Sequence, residues 1–218
     1  TGAAPSGHRV RRLAHLFGLA EPPAPLVWTA PEDRTAAARL IPEGGRVLAV
    51  GPTANWIGKQ WPAVRFAEAV RELTGQEGIL PNARVAIFGA AEERPMAEPL
   101  LAGLPPERLI DLVGRTDLAM AVAVLQRCDF FLGNDSGLMH MAAAACIPTL
   151  GLFGPSRGDH YAPWGPKAAA VRTAASLEEI VAAPGYDYRQ PGSHMETLTV
   201  EAVVTAARQL WQRVTTCG

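Results

Sequence analysis

The sequence predicts an α/β protein, built as a Rossmann-like parallel sheet with helices on both faces. Three observations support this fold class. Strand-like runs alternate with helical runs from residue 31 onward. The strand-like runs are largely apolar, which is typical of parallel strands covered on both faces. Several of them end at or near a glycine: Gly51, Gly89, Gly133 and Gly154. In such sheets ligands bind beyond the carboxyl ends of the strands, so functional residues are expected just after these glycines.

Residues 1–30 are predicted to be a linker that contains one helix. Gly, Pro and Ser are frequent at its start, the segment HRVRRLAHLFGL is amphipathic, and the proline-rich EPPAP follows. We therefore expect the chain to begin part-way into a longer protein.

Residues 31–116 alternate between helix and strand patterns. The helical segment DRTAAARLI comes first, and the apolar run RVLAVGP (46–52) follows as a strand. The next helix, WPAVRFAEAVRELTG, has a stop signal at Gly75 and one apolar face, which comprises Val64, Phe66, Ala67, Val70 and Leu73. The strand ARVAIFGA (83–90), the proline-interrupted helix EERPMAEPLLAGL and the short strand LIDLVG complete this part.

The second half continues the alternation. Three helices carry N-cap residues: Asp117 before LAMAVAVLQRC, Ser176 before LEEIVAA and Thr199 before the closing helix. The strands are DFFLG, IPTLGLFG and AAAVRT. We divide the chain into the linker 1–30, a Rossmann-like domain at 31–185, and a C-terminal segment with the closing helix at 186–218.

Composition excludes several classes of function. The chain has 218 residues with 20 Lys and Arg against 21 Asp and Glu, so it lacks the basic field of a nucleic-acid-binding protein. Its three cysteines show no metal-ligand spacing, and we expect no metal; Cys128 and Cys146 stand in apolar surroundings and are predicted to be buried. No apolar run reaches membrane-spanning length, so we expect a cytoplasmic protein.

The loop after DFFLG is predicted to bind phosphate. A helix follows Asn134, Asp135 and Ser136, and its first N–H groups have no partner within the helix. Gly137 lets an anion approach the backbone closely, and the helix dipole favours negative charge there. His140 lies on the same helical face and could donate to the same anion.

Two residues of this loop allow other interpretations. A carboxylate beside a phosphate repels it, so Asp135 would suit the hydroxyls of a sugar, or would simply cap the helix. His140 taken alone could be a core histidine with its hydrogen bonds satisfied. The combination on one loop favours a functional site.

Two further strand-end loops carry candidate ligands. In GPTANWIGKQWP (51–62), Lys59 could neutralise phosphate while Thr53 and Asn55 add hydrogen bonds; alternatively Lys59 is a solvated loop lysine. The spacing is not that of a P-loop. In GAAEERP (89–95), Glu92 or Glu93 could accept from ribose hydroxyls, or the acids could cap a helix. The loop 154–166 could close over a ligand or cover the sheet edge.

These motifs together resemble glycosyltransferase family 9, the lipopolysaccharide heptosyltransferases. The most specific match is LVGRTDLAMAVAVLQRCDFFLGNDSGLMHMAAAACIPTLGLFGPS at 112–156. The other matching segments are GKQWP (58–62), VAIFGAAEE (85–93) and METLTVEAVVTAARQL (195–210).

The resemblance implies a two-domain GT-B architecture, of which this chain is the C-terminal, donor-binding half. Residues 31–185 would be the nucleotide-sugar-binding domain, and the donor would be ADP-L-glycero-D-manno-heptose. The family's diphosphate-binding lysine falls on Lys59, its Asp-Thr-Gly on Asp135, Ser136 and Gly137, and its histidine on His140. The ribose-binding acid falls on Glu92 or Glu93. The pair of hydroxyl residues expected before the lysine appears as Ala54-Asn55.

The implied reaction is inverting transfer of a heptose or related sugar to an acceptor glycolipid of the lipopolysaccharide core. It needs no cofactor. The family's catalytic aspartate belongs to the N-terminal GT-B domain, so no residue here is assigned that role. Such an acceptor would place the protein peripherally at the inner membrane. The alternatives are a non-catalytic nucleotide-sugar-binding module and another GT-B enzyme, such as a nucleotide-sugar epimerase.

Overall fold

A single parallel sheet organises the chain. The computed structural model describes residues 7–189 and 192–216, and within these residues the sheet has six strands. They are β1 (Val47–Gly51), β2 (Arg84–Ile87), β3 (Leu109–Asp111), β4 (Phe130–Asn134), β5 (Thr149–Phe153) and β6 (Ala168–Arg172). Their order is β3-β2-β1-β4-β5-β6, and every neighbouring pair is parallel. This confirms the predicted fold class.

Helices precede, connect and follow the strands. They are α1 (Arg9–Leu16), α2 (Pro31–Leu40), α3 (Ala63–Thr74), α4 (Arg94–Ala102), α5 (Leu118–Leu125), α6 (Gly137–Ala144), α7 (Gly158–Tyr161), α8 (Leu177–Ala182) and α9 (Val200–Thr216). Single 3₁₀ turns lie at Ile57–Lys59 and Ala91–Glu93. The first six residues of the predicted linker, and residues 190–191 and 217–218 of the predicted C-terminal segment, lie outside the described residues. The domain boundaries stay predictions.

The three predicted N-caps are confirmed by hydrogen bonds. Asp117 Oδ1 accepts from the Met120 N–H at 2.8 Å, and Ser176 Oγ accepts from the Glu179 N–H at 3.1 Å. Thr199 Oγ1 accepts from the Ala202 N–H at 3.2 Å. Each cap satisfies a backbone donor that the helix itself leaves unpaired.

The core divides into two layers, one on each face of the sheet. Alternate residues of a strand point to opposite faces, so Leu48 and Val50 of β1 pack with α3, α4 and α9, while Val47 and Ala49 pack with α2, α5 and α6. All four residues are at most 1% exposed. Helices therefore cover both faces of the sheet.

A row of glycines brings α6 close to the sheet. Gly51, Gly133 and Gly151 pair side by side across β1, β4 and β5. A Cβ on Gly151 would lie 2.3 Å from Met139 Sδ, and one on Gly51 would lie 3.0 Å from Leu138 Cδ2. The absence of side chains in this row therefore sets how closely the first turn of α6 can pack.

Two expected burials are wrong. Val64 is 62% exposed because it lies two residues before Phe66, which is about half a turn around α3. Cys146 is exposed because it takes a left-handed conformation (φ 61°) at the end of α6, where the chain reverses and the side chain leaves the core. Cys128 is buried as predicted.

Helix α1 packs on the loop that follows β5. His8 Nε2 donates to the Ala162 carbonyl at 2.8 Å, and its ring lies 4.6 Å from that of Trp164. The Arg9 guanidinium lies 5.5 Å from the centre of the Tyr161 ring. The 154–166 loop thus supports the N-terminal helix. Among the described residues, no helix combines the length and apolar character needed to cross a bilayer.

Candidate functional site

A cleft opens where the strand order reverses. Chain connections run outward from β1 and β4 in opposite directions, and this arrangement leaves a crevice beyond their carboxyl ends. The crevice has a volume of about 550 Å³. Its walls come from the loops after β1, β2, β3 and β4 and from the first turns of α5 and α6. Loops that are distant in sequence therefore meet at one place, as the glycine-ended strands predict.

The N-terminal end of α6 is open to this cleft. Ser136 is the N-cap by backbone conformation, but its side chain makes no capping bond. The first-turn N–H groups of Gly137, Leu138 and Met139 have no acceptor within the helix. A Cβ on Gly137 would meet no atom within 4 Å. The helix tip thus presents backbone donors and the positive end of its dipole to a ligand in the cleft.

Lys59 reaches the same tip. Its Nζ donates to Asp135 Oδ2 at 2.7 Å, and the Lys59 and Asp135 side chains are 25% and 7% exposed. Lys59 is therefore a positioned cation and not a solvated loop lysine. The Asp135 carboxylate accepts the hydrogen bond from Lys59, and it makes no capping bond to α6. The pair joins the loop after β1 to the loop after β4.

His140 stands at the mouth of the cleft, one turn along α6. The pKa of His140 is lowered from its ordinary value, and desolvation by partial burial is the largest cause. The carboxylate of Asp135 opposes this shift, whereas the positive charges of His8 and Lys59 add to it. At neutral pH the ring is therefore uncharged, and it can donate through one nitrogen only.

The structure distinguishes between the two candidate acids after β2. Glu93 lines the cleft, and its Oε2 accepts from Thr53 Oγ1 and from the Ala90 N–H, both at 2.8 Å. Glu92 is exposed and lies outside the cleft wall. Thr53 also lines the cleft, but its hydroxyl proton is engaged by Glu93. Asn55 is exposed at the rim.

Sequence reasoning missed one wall of the cleft. This wall is largely apolar and comprises Phe88, Thr116, Asp117, Leu118, Ala121 and Met141. The sequence pattern predicted Asp117 only as a helix cap, and the structure shows that Asp117 does cap α5. The polar pair Thr116-Asp117 after the strand pattern LIDLVG could have predicted this wall, because the carboxyl end of that strand also lies at the crevice.

The family model for glycosyltransferase family 9 (heptosyltransferase) matches residues 6–182 of this chain. Lipopolysaccharide heptosyltransferase 2 of Escherichia coli K12 is 35% identical over 134 residues, which cover 59% of this chain and 37% of that protein. The aligned segment thus covers little more than a third of this curated relative's length.

Two solved structures are also similar. The E. coli ADP-heptose lipopolysaccharide heptosyltransferase II superposes with a TM-score of 0.71 at 25% identity, over 90% of this chain and 56% of the other. A family 9 glycosyl transferase from Veillonella parvula gives a TM-score of 0.79 at 21% identity, over 96% and 61%. The family match covers most of the chain and includes the loops that bear Lys59, Glu93, Asp135 and His140. On this basis, the chain belongs to glycosyltransferase family 9.

Proposed function

We propose that this chain is the donor-binding half of an inverting heptosyltransferase that uses ADP-heptose. The observation that carries the proposal is the meeting of Lys59 with the open tip of α6 at the carboxyl ends of β1 and β4. An ammonium group and unpaired backbone N–H groups are suited to a diphosphate. The E. coli relative solved as an ADP-heptose heptosyltransferase supports the choice of donor.

Six residues of the cleft receive roles in the proposed donor binding. Lys59, the N–H groups of Ser136 and Gly137, and the neutral ring of His140 bind the diphosphate. Glu93 accepts hydrogen bonds from the ribose hydroxyls. Its Oε2 already accepts from Thr53 Oγ1 and from the Ala90 N–H, and these two bonds hold the carboxylate in place. Asp135 orients Lys59 through the 2.7 Å contact.

The proposed reaction is a displacement at the anomeric carbon. The acceptor hydroxyl loses its proton to a carboxylate of the N-terminal GT-B domain, and its oxygen forms the new bond while the bond to the diphosphate oxygen breaks. Negative charge then grows on the diphosphate, where the preorganised donors of this chain stabilise it. Removing one such donor typically lowers the rate by about 10²–10³. A lipopolysaccharide-core glycolipid as acceptor would bring the protein to the inner-membrane surface.

A thermal-shift panel with ADP, UDP, GDP and ADP-heptose tests the proposal on this chain. A ligand that binds only the folded state raises the melting temperature by mass action. We expect shifts with ADP and ADP-heptose that exceed those with UDP and GDP. The absence of a shift with ADP and ADP-heptose at millimolar concentration would contradict the proposal.

Distinguishing the rival functions requires an assay of this chain joined to an acceptor-binding GT-B half. Transfer of heptose to a lipopolysaccharide-core acceptor, followed by mass spectrometry, is the expected result. Conversion of ADP-heptose to an isomer without an acceptor would indicate an epimerase instead. Binding without any turnover would indicate a non-catalytic module.

A further inference from the structure

We infer that Asn134 is a positioning residue that holds Lys59 at the tip of α6. The inference rests on the proposed function, since it concerns how the diphosphate site is assembled. Asn134 is the last residue of β4 and is 0% exposed. Its side chain binds the loop that carries Lys59, here called the lysine loop and comprising residues 52–62.

One side chain holds both ends of the lysine loop. Asn134 Nδ2 donates to the Pro52 carbonyl at 2.8 Å, where the loop leaves β1. Asn134 Oδ1 accepts from the Trp61 N–H at 3.0 Å, just before α3 begins. Lys59 lies between these two contacts, so a single amide group bridges the two ends of the loop that carries it.

The chemistry at this position requires an amide. A carbonyl at one end of the loop needs a donor, and an N–H at the other end needs an acceptor; asparagine offers both in a short side chain. An aspartate could accept from Trp61, but an ionised carboxylate would have no proton for Pro52. An apolar residue would leave both backbone groups unpaired in a buried place.

The opposite side of the lysine loop rests on a segment near the C-terminus. Ser193 Oγ donates to the Gln60 carbonyl at 2.6 Å, and the His194 N–H donates to the Gly58 carbonyl at 3.0 Å. The Trp61 Nε1–H donates to the Leu198 carbonyl at 2.9 Å. This segment supports the loop from outside, whereas Asn134 ties the loop to β4, the strand that leads directly into Asp135 and α6.

Asn134 and Asp135 therefore act in succession along one strand end. Asn134 fixes the backbone of the lysine loop, and Asp135 receives the ammonium group at the end of the Lys59 side chain. If the loop were free, only a fraction of molecules would hold Lys59 at the tip, and the apparent affinity for a diphosphate would fall by that fraction.

The test is a double-mutant cycle of Asn134 and Lys59, in which calorimetric titration measures the affinity of each variant for ADP. Asn134→Ala is expected to weaken binding about tenfold, as it would if about a tenth of molecules kept the competent loop. In the Lys59→Ala background the same change should alter affinity less than about twofold, because no ammonium remains to be positioned. Equal losses in both backgrounds, or no loss in either, would overturn the inference.

Thr149→Val is the matched control. Thr149 is also 0% exposed, lies on the neighbouring strand β5, and donates its hydroxyl proton to the Ile147 carbonyl at 2.9 Å. This variant should lose stability without losing affinity for ADP. An equal loss of affinity in Thr149→Val would show that general destabilisation, and not positioning, explains the effect.

Hydrogen exchange gives a readout without ligand. The amides of Lys59 and Gln60 donate to the carbonyls of Trp56 and Ile57, so Asn134 accepts neither bond. We expect both amides to exchange faster in Asn134→Ala and unchanged in Thr149→Val. If Asn134→Ala does not fold, Asn134→Asp, which keeps an acceptor for Trp61, should show the same acceleration to a smaller degree. Unchanged exchange would overturn the inference.

The two proposals can fail separately. A wild-type chain that does not bind ADP would overturn the proposed function and this inference with it. A wild-type chain that binds ADP, with Asn134→Ala binding equally well, would overturn the inference alone.

Discussion

At the scale of single residues, the Lys59–Asp135 contact organises the site. The two residues are 76 positions apart, and their side chains meet at 2.7 Å with little exposure to water. A lysine in free solution would spread its ammonium over many rotamers. Here the carboxylate fixes one of them beside the tip of α6, so the cation is in place before a diphosphate arrives.

His140 is expected to titrate below its ordinary pKa of about 6.5. The folded chain then holds fewer protons at this site than the unfolded chain, so the free energy of unfolding falls as the pH drops through about 6.5. Titration of the His140 ring by NMR measures the pKa directly. The His140→Gln variant should show a flatter dependence of stability on pH, whereas a pKa at or above 6.5 in the ligand-free chain would contradict the structure.

The two described cysteines should differ in reactivity. Burial raises the pKa of the Cys128 thiol, which is 6% exposed, while Cys146 is exposed at the end of α6. We expect iodoacetamide at neutral pH to label Cys146 in the folded chain and Cys128 only after denaturation, as read by peptide mass spectrometry. Rapid labelling of Cys128 in the folded chain would contradict its burial just before β4.

At this scale the sequence predicted which loops form the cleft. It did not predict which side chains contact one another there. Lys59, Asp135, Ser136, Gly137 and His140 were placed correctly in one cleft because each follows a strand end. The choice between adjacent acids depends on the orientation of one 3₁₀ turn, which propensity does not encode. The ion pair of Lys59 with Asp135 depends on tertiary packing, so local patterns could not reveal it.

At the scale of elements, the glycines near α6 do two different jobs. A Cβ on Gly133 would lie 2.6 Å from Phe131 Cζ and 2.9 Å from the Gly51 carbonyl oxygen. Gly137 has open space beside it and lines the cleft. The first glycine permits packing, and the second permits a ligand to approach the backbone.

Alanine substitutions separate these two roles. Gly133→Ala should destabilise the chain by about 1–3 kcal/mol through overpacking. Gly137→Ala should leave the free energy of unfolding nearly unchanged but weaken ADP binding, because its methyl group enters the anion site. Chemical denaturation and ADP titration of both variants provide the measurements. A Gly137→Ala variant with full ADP affinity would show that the ligand does not approach this turn.

Element boundaries were predictable where the pattern was long. The capped helices α5, α8 and α9 and the apolar strands carried clear signals. The 3₁₀ turn at Ile57–Lys59 and the four-residue α7 were not predicted, because one turn is too short to show a helical period. The first of these turns nevertheless carries Lys59.

At the scale of the whole molecule, the sheet order creates the site. The alternating pattern predicted parallel strands but not their neighbours, because pairing of β1 with β4 joins segments about 80 residues apart. That pairing places the lysine loop beside α6. The largely apolar wall that includes the start of α5 completes the cleft.

The most direct measurement is calorimetric titration of ADP into the chain and two lysine variants. The chain has only two lysines, Lys59 in the cleft and the exposed Lys167 outside it. We predict that Lys59→Ala weakens ADP binding by about 10- to 100-fold, the worth of a hydrogen bond to a charged group, while Lys167→Ala binds as the wild type does. Equal affinity of Lys59→Ala and the wild type, or a wild type that does not bind ADP, would contradict the account.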